Sequence, residues 1–304
     1  MQRLFVVYNQ RSSNYVRVQS EFLSKLPTLK SHIIGKYDVS QSQDFDENVK
    51  KLAKCLKNGD TLISAGGDAT ASIAVNAILK SGKSVTLGVL PYGNFNDLAR
   101  TLGMMTADEI MRKTILATFY PLIITIDGEL WRYASCYVTI GMTAESVAIF
   151  DNPKIRKKMQ QGHKSSWRSY FQLASWYFKN RHKKVFIPDF KINGKTQPHK
   201  TSDYAAVNGK SMSRVMKGGD DYLSPTTFRS ETEKTASFPR LFILMAKSIL
   251  IRTPGHDTTG DTLTFDTPAT ITLQCEGESR TFKNVKKIEI RKDPKKCLQV
   301  IHKN

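Results

Sequence analysis

The sequence predicts an α/β plus β protein: an N-terminal doubly wound α/β domain followed by a C-terminal antiparallel β-sandwich domain. Three observations predict it. The first 127 residues alternate apolar, β-branched runs with segments of helical spacing. After about Asp127 the texture changes to short alternating runs separated by Gly, Pro and Asn. The chain has 304 residues with a hydrophobic fraction of 40%, enough for a sizeable core and, by length, two domains. The expected domains are 1–127 and 128–304, with the extreme C-terminus returning to the first domain.

In order along the chain, "RLFVVYN" reads as a buried strand, "NQRSSN" as a polar turn and "YVRVQSEFLSKL" as a helix. "HIIGKYDVS" is a second strand. "DENVKKLAKCLKNG" is a helix with Asp46 near its start and Gly59 as its stop. "DTLISAGGD" is a third strand, and "ATASIAVNAILKSG" a helix closed by Gly82. "SVTLGVLPYG" is a fourth strand, after which "NDLARTLGM" opens another helix. In the second half, "PLIITIDGELWRYASCYVTIGM" reads as two strands around an Asp-Gly hairpin turn. "KVFIPDFKINGKT", "SDYAAVNGK", "TLTFDTPATITLQCEGESRTF" and "KKIEIRK" continue the β pattern, interrupted by one helix, "FPRLFILMAKSILIR".

Composition excludes several classes. No apolar run approaches the roughly 18 residues of a spanning helix. The N-terminal apolar run is too short for a signal peptide and reads as a first strand. Cys55, Cys136, Cys275 and Cys297 show no CxxC spacing, which predicts reduced thiols in a cytoplasmic protein and no zinc site. A net charge of +19 favours a polyanionic partner: nucleic acid, an anionic membrane surface or phosphorylated ligands. No helix-turn-helix, zinc finger or RRM aromatic motif supports specific nucleic-acid binding.

Chemistry concentrates in two turns. In "LISAGGDATA" Gly66 and Gly67 sit between a strand and a helix, where backbone N–H groups can approach a phosphate. Asp68 would repel a bare phosphate but suits one that arrives with Mg²⁺, and Thr70 can cap the helix or bond a phosphate oxygen. The alternative is an ordinary Gly turn with an Asp cap. "LPYGNFNDLAR" repeats the arrangement after the next strand, with Pro91 and Gly93 shaping the turn and Asn96 and Asp97 at a helix start. If the two strands pair, Asp68 and Asp97 can share one metal-phosphate.

"GGDAT" followed by "LPYGNFNDLAR" resembles the diacylglycerol kinase catalytic-domain family, whose usual forms are GGDGT and LPxGTxNDxAR. "VVYNQRSSN", "YDVSQS", "GHKSSWRSYFQLASWYF", "YAAVNG", "GGDDYLS" and "ITLQCEGES" resemble further family segments in the same order. The resemblance implies an NAD kinase-like first domain with ATP at the cleft, and a second domain for a lipid substrate. It implies nucleotide contacts from Asn9, Ser12, Ser13, Ser40, Gly66, Gly67, Asp68, Thr70, Asn94 and Asn96. Mg²⁺ would be organised by Asp68 and Asp97, with Asp127 in the same polar network, although a hairpin-turn residue is an equal reading of Asp127. Glu278 matches the family's catalytic carboxylate, which takes the proton from the lipid hydroxyl as the phosphoryl group transfers. Glu276, read as lying two residues away on the same strand face, would raise the proton affinity of Glu278. A structural Mg²⁺ is implied on Asp220 and the main-chain oxygens of Lys217 and Tyr222.

The sequence departs from the family at Ala69, at Asn94 and Phe95 in place of a Thr-Gly pair, at Glu276 in place of Asp, and at Asp221 in place of Gly. The expected function is an ATP- and Mg-dependent lipid kinase acting on diacylglycerol or a similar lipid alcohol. The alternatives are an NAD kinase-like enzyme and a catalytically weak lipid- or nucleotide-binding protein. The expected location is cytoplasmic, peripheral at the inner face of an anionic membrane. The basic segment Lys154–Lys184, with Trp167, Tyr170, Phe171, Ala174, Tyr177 and Phe178 at helical spacing, is the candidate docking surface. Core packing is the favoured reading of those aromatics and the membrane that of the flanking charges, and the oligomeric state is open between monomer and homodimer.

Overall fold

Three of the apolar, β-branched runs of the first half, at 3–8, 61–66 and 86–91, become strands buried through their centres, as the inner strands of a parallel sheet require. In the computed structural model the described residues are 3–12, 14–25, 32–112, 115–145, 175, 187–199, 201–212, 216–233 and 255–303. The first half runs β1 (Arg3–Tyr8), α1 (Tyr15–Glu21), β2 (His32–Asp38), α2 (Phe45–Cys55), β3 (Thr61–Gly66), α3 (Asp68–Ser81), β4 (Thr86–Pro91), α4 (Asp97–Thr101), α5 (Ala107–Arg112) and β5 (Leu116–Phe119). The second half runs β6 (Leu122–Ile126), β7 (Glu129–Ala134), β8 (Tyr137–Gly141), β9 (Phe190–Ile192), β10 (Lys195–Thr196), β11 (Asp203–Val207), β12 (Ser211–Met212), β13 (Met216–Lys217), β14 (Phe228–Glu233), β15 (His256–Thr258), β16 (Gly260–Cys275), β17 (Glu278–Arg291) and β18 (Leu298–Ile301).

The first sheet has strand order β2-β1-β3-β4-β18-β5. Its central strands pair in parallel, β1 with both β2 and β3, and β3 with β4. The chain steps from β1 outward to β2 and then back across to β3, so strand order reverses between β1 and β3. In open α/β sheets that reversal opens a crevice at the carboxyl ends of the strands. The turns after β1, β3 and β4 lie at that end. Helix boundaries follow the sequence closely. Asp44 caps α2 by accepting the N–H of Glu47, and Gly82 ends α3 in the left-handed conformation. Gly59 lies beyond the α2 C-cap, Leu56, in the turn that leads into β3.

The second half is antiparallel, as expected. Its backbone pairing is continuous as one ten-stranded sheet whose main path runs β15-β14-β11-β8-β16-β17-β6-β7. The 16-residue β16 breaks register against β17 between Thr264 and Ala269 and again before Ile271. That irregularity lets one strand serve β9 at Leu263–Phe265 and β8 at Leu273–Cys275. The chain leaves the first sheet after Phe119 and enters the second at Leu122, ahead of the boundary expected near 127.

The two sheets share a core. Cys136, Tyr137, Ala205, Val207, Met212 and Tyr222 pack into the same buried cluster as β1, β3 and β4. Burying an aromatic of this kind contributes on the order of 2–3 kcal/mol. A polar strut reinforces the seam. Asn76 of α3 donates to the Tyr133 carbonyl at 2.9 Å and accepts the Tyr133 N–H at 3.0 Å. None of the four cysteines is in a disulfide.

Candidate active site

The two glycine turns come together as one structure. β3 and β4 pair with Gly66 opposite Pro91, and a Cβ on Gly93 would lie 2.4 Å from the Gly67 Cα. The backbones are therefore in contact, a packing that only glycine permits. Asp68 locks the pair: its Oδ1 accepts the Asp97 N–H at 2.6 Å and its Oδ2 the Asn96 N–H at 2.9 Å. Asp68 thus sits in the first turn of α3 while supplying acceptors to the start of α4. Burial raises its pKa above the ordinary carboxylate value, and those N–H groups pull it back.

Asn96 holds the second turn from inside. It sits in the left-handed region at φ 57°, its Oδ1 accepts the Gly93 N–H at 2.6 Å, and its Nδ2 donates to the Gly93 carbonyl at 2.8 Å. Its side chain is committed to the turn, whereas Asn94 and Phe95 are exposed at the tip. Asp97 is buried and accepts the Ser211 hydroxyl at 2.8 Å, which ties the turn to the second half of the chain. Thr70 is buried against Gly66, and no side chain caps the first turn of α3. The N–H groups of a 14-residue helix thus begin beside the Gly67–Gly93 contact.

The loops after β1 and β2 are held together by Asp38, a residue that no motif of the sequence singled out. Asp38, at the end of β2, accepts the Gln10 N–H at 3.2 Å, the Ser40 N–H at 2.9 Å and the Ser40 hydroxyl at 2.8 Å. It fastens the loop after β1 to the loop after β2. Asn9 accepts the Arg11 N–H at 2.9 Å, and Ser12 is half-buried beside it. An Asp two residues before a Ser at a strand end is a readable turn signal.

Glu276 and Glu278 occupy different environments, contrary to the expectation of one strand face. Glu276 and Gly277 are the two residues of the β16–β17 hairpin turn, with φ 52° and 84°. Glu276 is 5% exposed, and its Oε1 accepts the N–H groups of Ser135 and Cys136 at 2.5 and 2.7 Å. Burial pushes its carboxyl up to about 7, so the elevated proton affinity falls on Glu276 itself. Glu278 begins β17 and pairs with Arg132 of β7 at 2.7 Å. Its side chain is 40% exposed, that of Arg132 only 3%. The Arg132 guanidinium lies 3.6 Å from the centre of the Phe45 ring and 4.9 Å from that of Trp131. Arg132 has no local motif to announce it.

Asp127 is not brought to this site. It occupies the exposed β6–β7 hairpin, where its Oδ1 accepts the N–H groups of Lys286 and Lys287 at 3.0 and 2.8 Å. Asp220 lies on a separate turn, 3.2 Å from the Lys210 Nζ. Ser13, the side chain of Lys217, the expected helix at 238–252 and all but Ser175 of the basic aromatic segment lie outside the described residues.

Mg²⁺ bound with a nucleotide asks for one or two carboxylates and fills its remaining positions with phosphate oxygens and water. Asp68 and Asp97, on touching turns, fit that donor set. The turn at Asp220 does not. The Tyr222 carbonyl accepts the Tyr120 N–H at 2.9 Å, the Asp220 carboxylate has an ammonium partner, and Lys217 sits in a strand pair with Ser211.

Residues 3–119 match the family model described as the diacylglycerol kinase catalytic domain. The matched residues include both glycine turns. The chain is 43% identical over 110 residues to a diacylglycerol kinase of Bacillus subtilis (strain 168), an alignment covering 36% of this chain and 35% of that protein. It is 23% identical over 196 residues to a Staphylococcus aureus (strain bovine RF122 / ET3-1) protein named "Putative lipid kinase", covering 62% of this chain and 60% of the relative. The chain therefore spans less than two thirds of the length of these relatives. A crystal structure of a diacylglycerol kinase from Bacillus anthracis str. Sterne shares the fold, with a TM-score of 0.67 at 12% identity, covering 99% of this chain and 97% of that one.

Proposed function

We propose that this protein is an ATP- and Mg²⁺-dependent kinase that phosphorylates the hydroxyl of diacylglycerol or a similar lipid alcohol. The observation that carries the reading is the double turn. Gly67 and Gly93 touch, Asp68 binds both N–H groups at the start of α4, and Asp97 follows at once. This reads as a backbone cradle for phosphate with two carboxylates at its edge, at the carboxyl ends of β3 and β4 and so beside the crevice that opens between β1 and β3.

Asp68 and Asp97 would hold Mg²⁺, which neutralises charge on the phosphates and the transferring group when bound. The glycine turns leave room for the nucleotide to approach main-chain N–H groups. Glu278 takes the proton from the lipid hydroxyl, a contribution of about 10²–10⁴-fold. Arg132, fixed between Phe45 and Trp131, acts as a positioning residue that holds Glu278 through one charge-assisted hydrogen bond. The net charge of +19 and the basic segment 154–184 suit an anionic membrane surface rather than a specific nucleic acid. Among the described residues no helix is long and apolar enough to cross a membrane; the attachment in this reading is peripheral, on the cytoplasmic face, and rests on the charge.

The test is phosphate transfer from radiolabelled ATP to diacylglycerol, monoacylglycerol, sphingosine, ceramide, undecaprenol and phosphatidylglycerol in mixed micelles, with NAD as a soluble control. Label is expected in one lipid, lost in Glu278→Gln and in Asp68→Asn. Label in NAD alone moves the protein to an NAD kinase-like activity. Nucleotide binding without transfer to any acceptor overturns the kinase reading.

A further inference from the structure

The family resemblance puts a structural Mg²⁺ on Asp220 and the main-chain oxygens of Lys217 and Tyr222, and on this turn the Asp220 carboxylate and the carbonyls of Asp220, Asp221, Tyr222 and Ser224 already have partners. Lys292 is 6% exposed, and its Nζ donates to the main-chain oxygens of both Asp221 and Ser224, the latter at 2.9 Å. A second amine approaches from the other side: the Lys210 Nζ is 3.2 Å from the Asp220 Oδ1 and 5.9 Å from the centre of the Tyr222 ring. Tyr222, fully buried, donates or accepts at 3.0 Å with the His302 Nε2, and its carbonyl binds the Tyr120 N–H at 2.9 Å. Protein groups thus fasten the turn to the end of β5, to the segment after β17 and to the end of β18.

We infer that this turn binds no divalent cation and that Lys210 and Lys292 do the cross-linking that a metal would otherwise do. Two arguments support it. Mg²⁺ demands near-octahedral oxygen donors, and a cation placed on Asp220 would face the Lys210 ammonium at close range. Lys292 also gives the Ser224 carbonyl a donor and the Asp221 carbonyl a second one beside the Ser224 N–H, while Lys210 pairs with the Asp220 carboxylate. Burial pushes the Lys292 amine down to about 7, and a neutral amine still has two N–H groups, one for each oxygen. The Mg²⁺ requirement of the proposed reaction then belongs to Asp68 and Asp97 alone.

The inference uses the family reading only to say where a metal would sit, and its readout is heat stability, so a failed kinase assay leaves it intact. Thermal unfolding of the full chain, without nucleotide, is followed at 0–10 mM MgCl₂ and with EDTA. The midpoint is expected to stay within about 1 °C throughout. Lys292→Met is expected to lower it by at least about 5 °C, with no recovery on adding Mg²⁺. Lys292→Arg, which keeps the donors, is expected to recover most of the loss. A wild-type midpoint that rises with Mg²⁺ and loses that rise in Asp220→Ala overturns the inference. A rise kept in Asp220→Ala and lost in Asp97→Asn reports the other site and agrees with it. If Lys292→Met does not fold, Lys210→Met carries the same test, and a Mg²⁺-dependent recovery there overturns the inference. A Lys292→Met protein as stable as wild type overturns the role of Lys292.

Discussion

Two hairpin turns in the second sheet have nearly the same backbone and opposite surroundings. Asp127-Gly128 has φ values of 50° and 89°, and Glu276-Gly277 has 52° and 84°. Both are two-residue turns of the type that matches strand twist, and both put an acid in the left-handed region. In each, one carboxylate oxygen accepts two consecutive backbone N–H groups: Lys286 and Lys287 for Asp127, Ser135 and Cys136 for Glu276. Yet Asp127 is exposed, while Glu276 is buried at the seam between the two sheets with its carboxyl pushed up to about 7. Local turn chemistry therefore sets the shape of such a site, and the second sheet's contact with the first sets its electrostatics. An acid carried by the same turn is exposed to water at one place and, at the other, buried with its carboxyl pushed up to about 7.

The sharpest way to break the comparison is truncation. Glu276→Ala leaves the Ser135 and Cys136 N–H groups unpaired in the interior, and a loss of about 2–4 kcal/mol is expected in urea unfolding. The matching Asp127→Ala exposes its two N–H groups to water, and the expected loss is under about 1 kcal/mol. Equal losses would show that burial is not what separates the turns.

A titration tests the same contrast with less perturbation. The folded protein holds the Glu276 proton up to about 7, whereas an unfolded chain releases it near 4.5. The folded state binds more protons in that window, so the contribution of this group to stability falls as pH rises from about 5 through 7. Asp203, pushed up to about 7, and Glu231, to about 8, act in the same direction. Glu276→Gln keeps an acceptor but cannot titrate. Its stability relative to wild type should therefore rise between pH 5 and pH 8, by on the order of 1–3 kcal/mol. A constant difference across that range would remove the buried-acid account.

The smallest effect is a control on the backbone. A Cβ on Gly128 or Gly277 would meet no atom within 4 Å, so only the positive φ opposes a side chain. Gly128→Ala and Gly277→Ala should each cost about 1 kcal/mol, and equally. A much larger loss at Gly277 would mean that the buried turn carries strain beyond its conformation.

The parts of the site that repeat along the chain were legible in the sequence. A strand, a glycine turn and a helix beginning with an acid occur twice in succession, and parallel pairing of the strands makes those turns neighbours. The Asp-Gly hairpin was legible for the same local reason. The hidden parts depend on contacts between distant positions. Arg132 reaches Glu278 across 146 positions, Ser211 reaches Asp97 across 114, and Asn76 reaches Tyr133 across 57. No period or motif at either end records such a meeting. Glu276 was a failure of a different kind. An alternating run with an acid-Gly pair in its middle reads as one strand unless the pair is taken as a turn, and a two-residue turn moves the next acid to the other strand.

The strand Leu298–Ile301 lies between β4 and β5, parallel to the first and antiparallel to the second. The slot it fills belongs to the sheet built from the first 119 residues, and among the described residues no other strand joins β4 to β5. As the chain emerges from a ribosome, β4 waits for a neighbour that is made about 200 residues later. At about 5–20 residues per second that wait lasts on the order of 10–40 seconds. Throughout it, β4 presents an apolar, unpaired edge, which is the kind of surface that recruits chaperones or another nascent chain. The sheet that carries the glycine turns is therefore among the first parts of the protein to be synthesised and among the last to be closed.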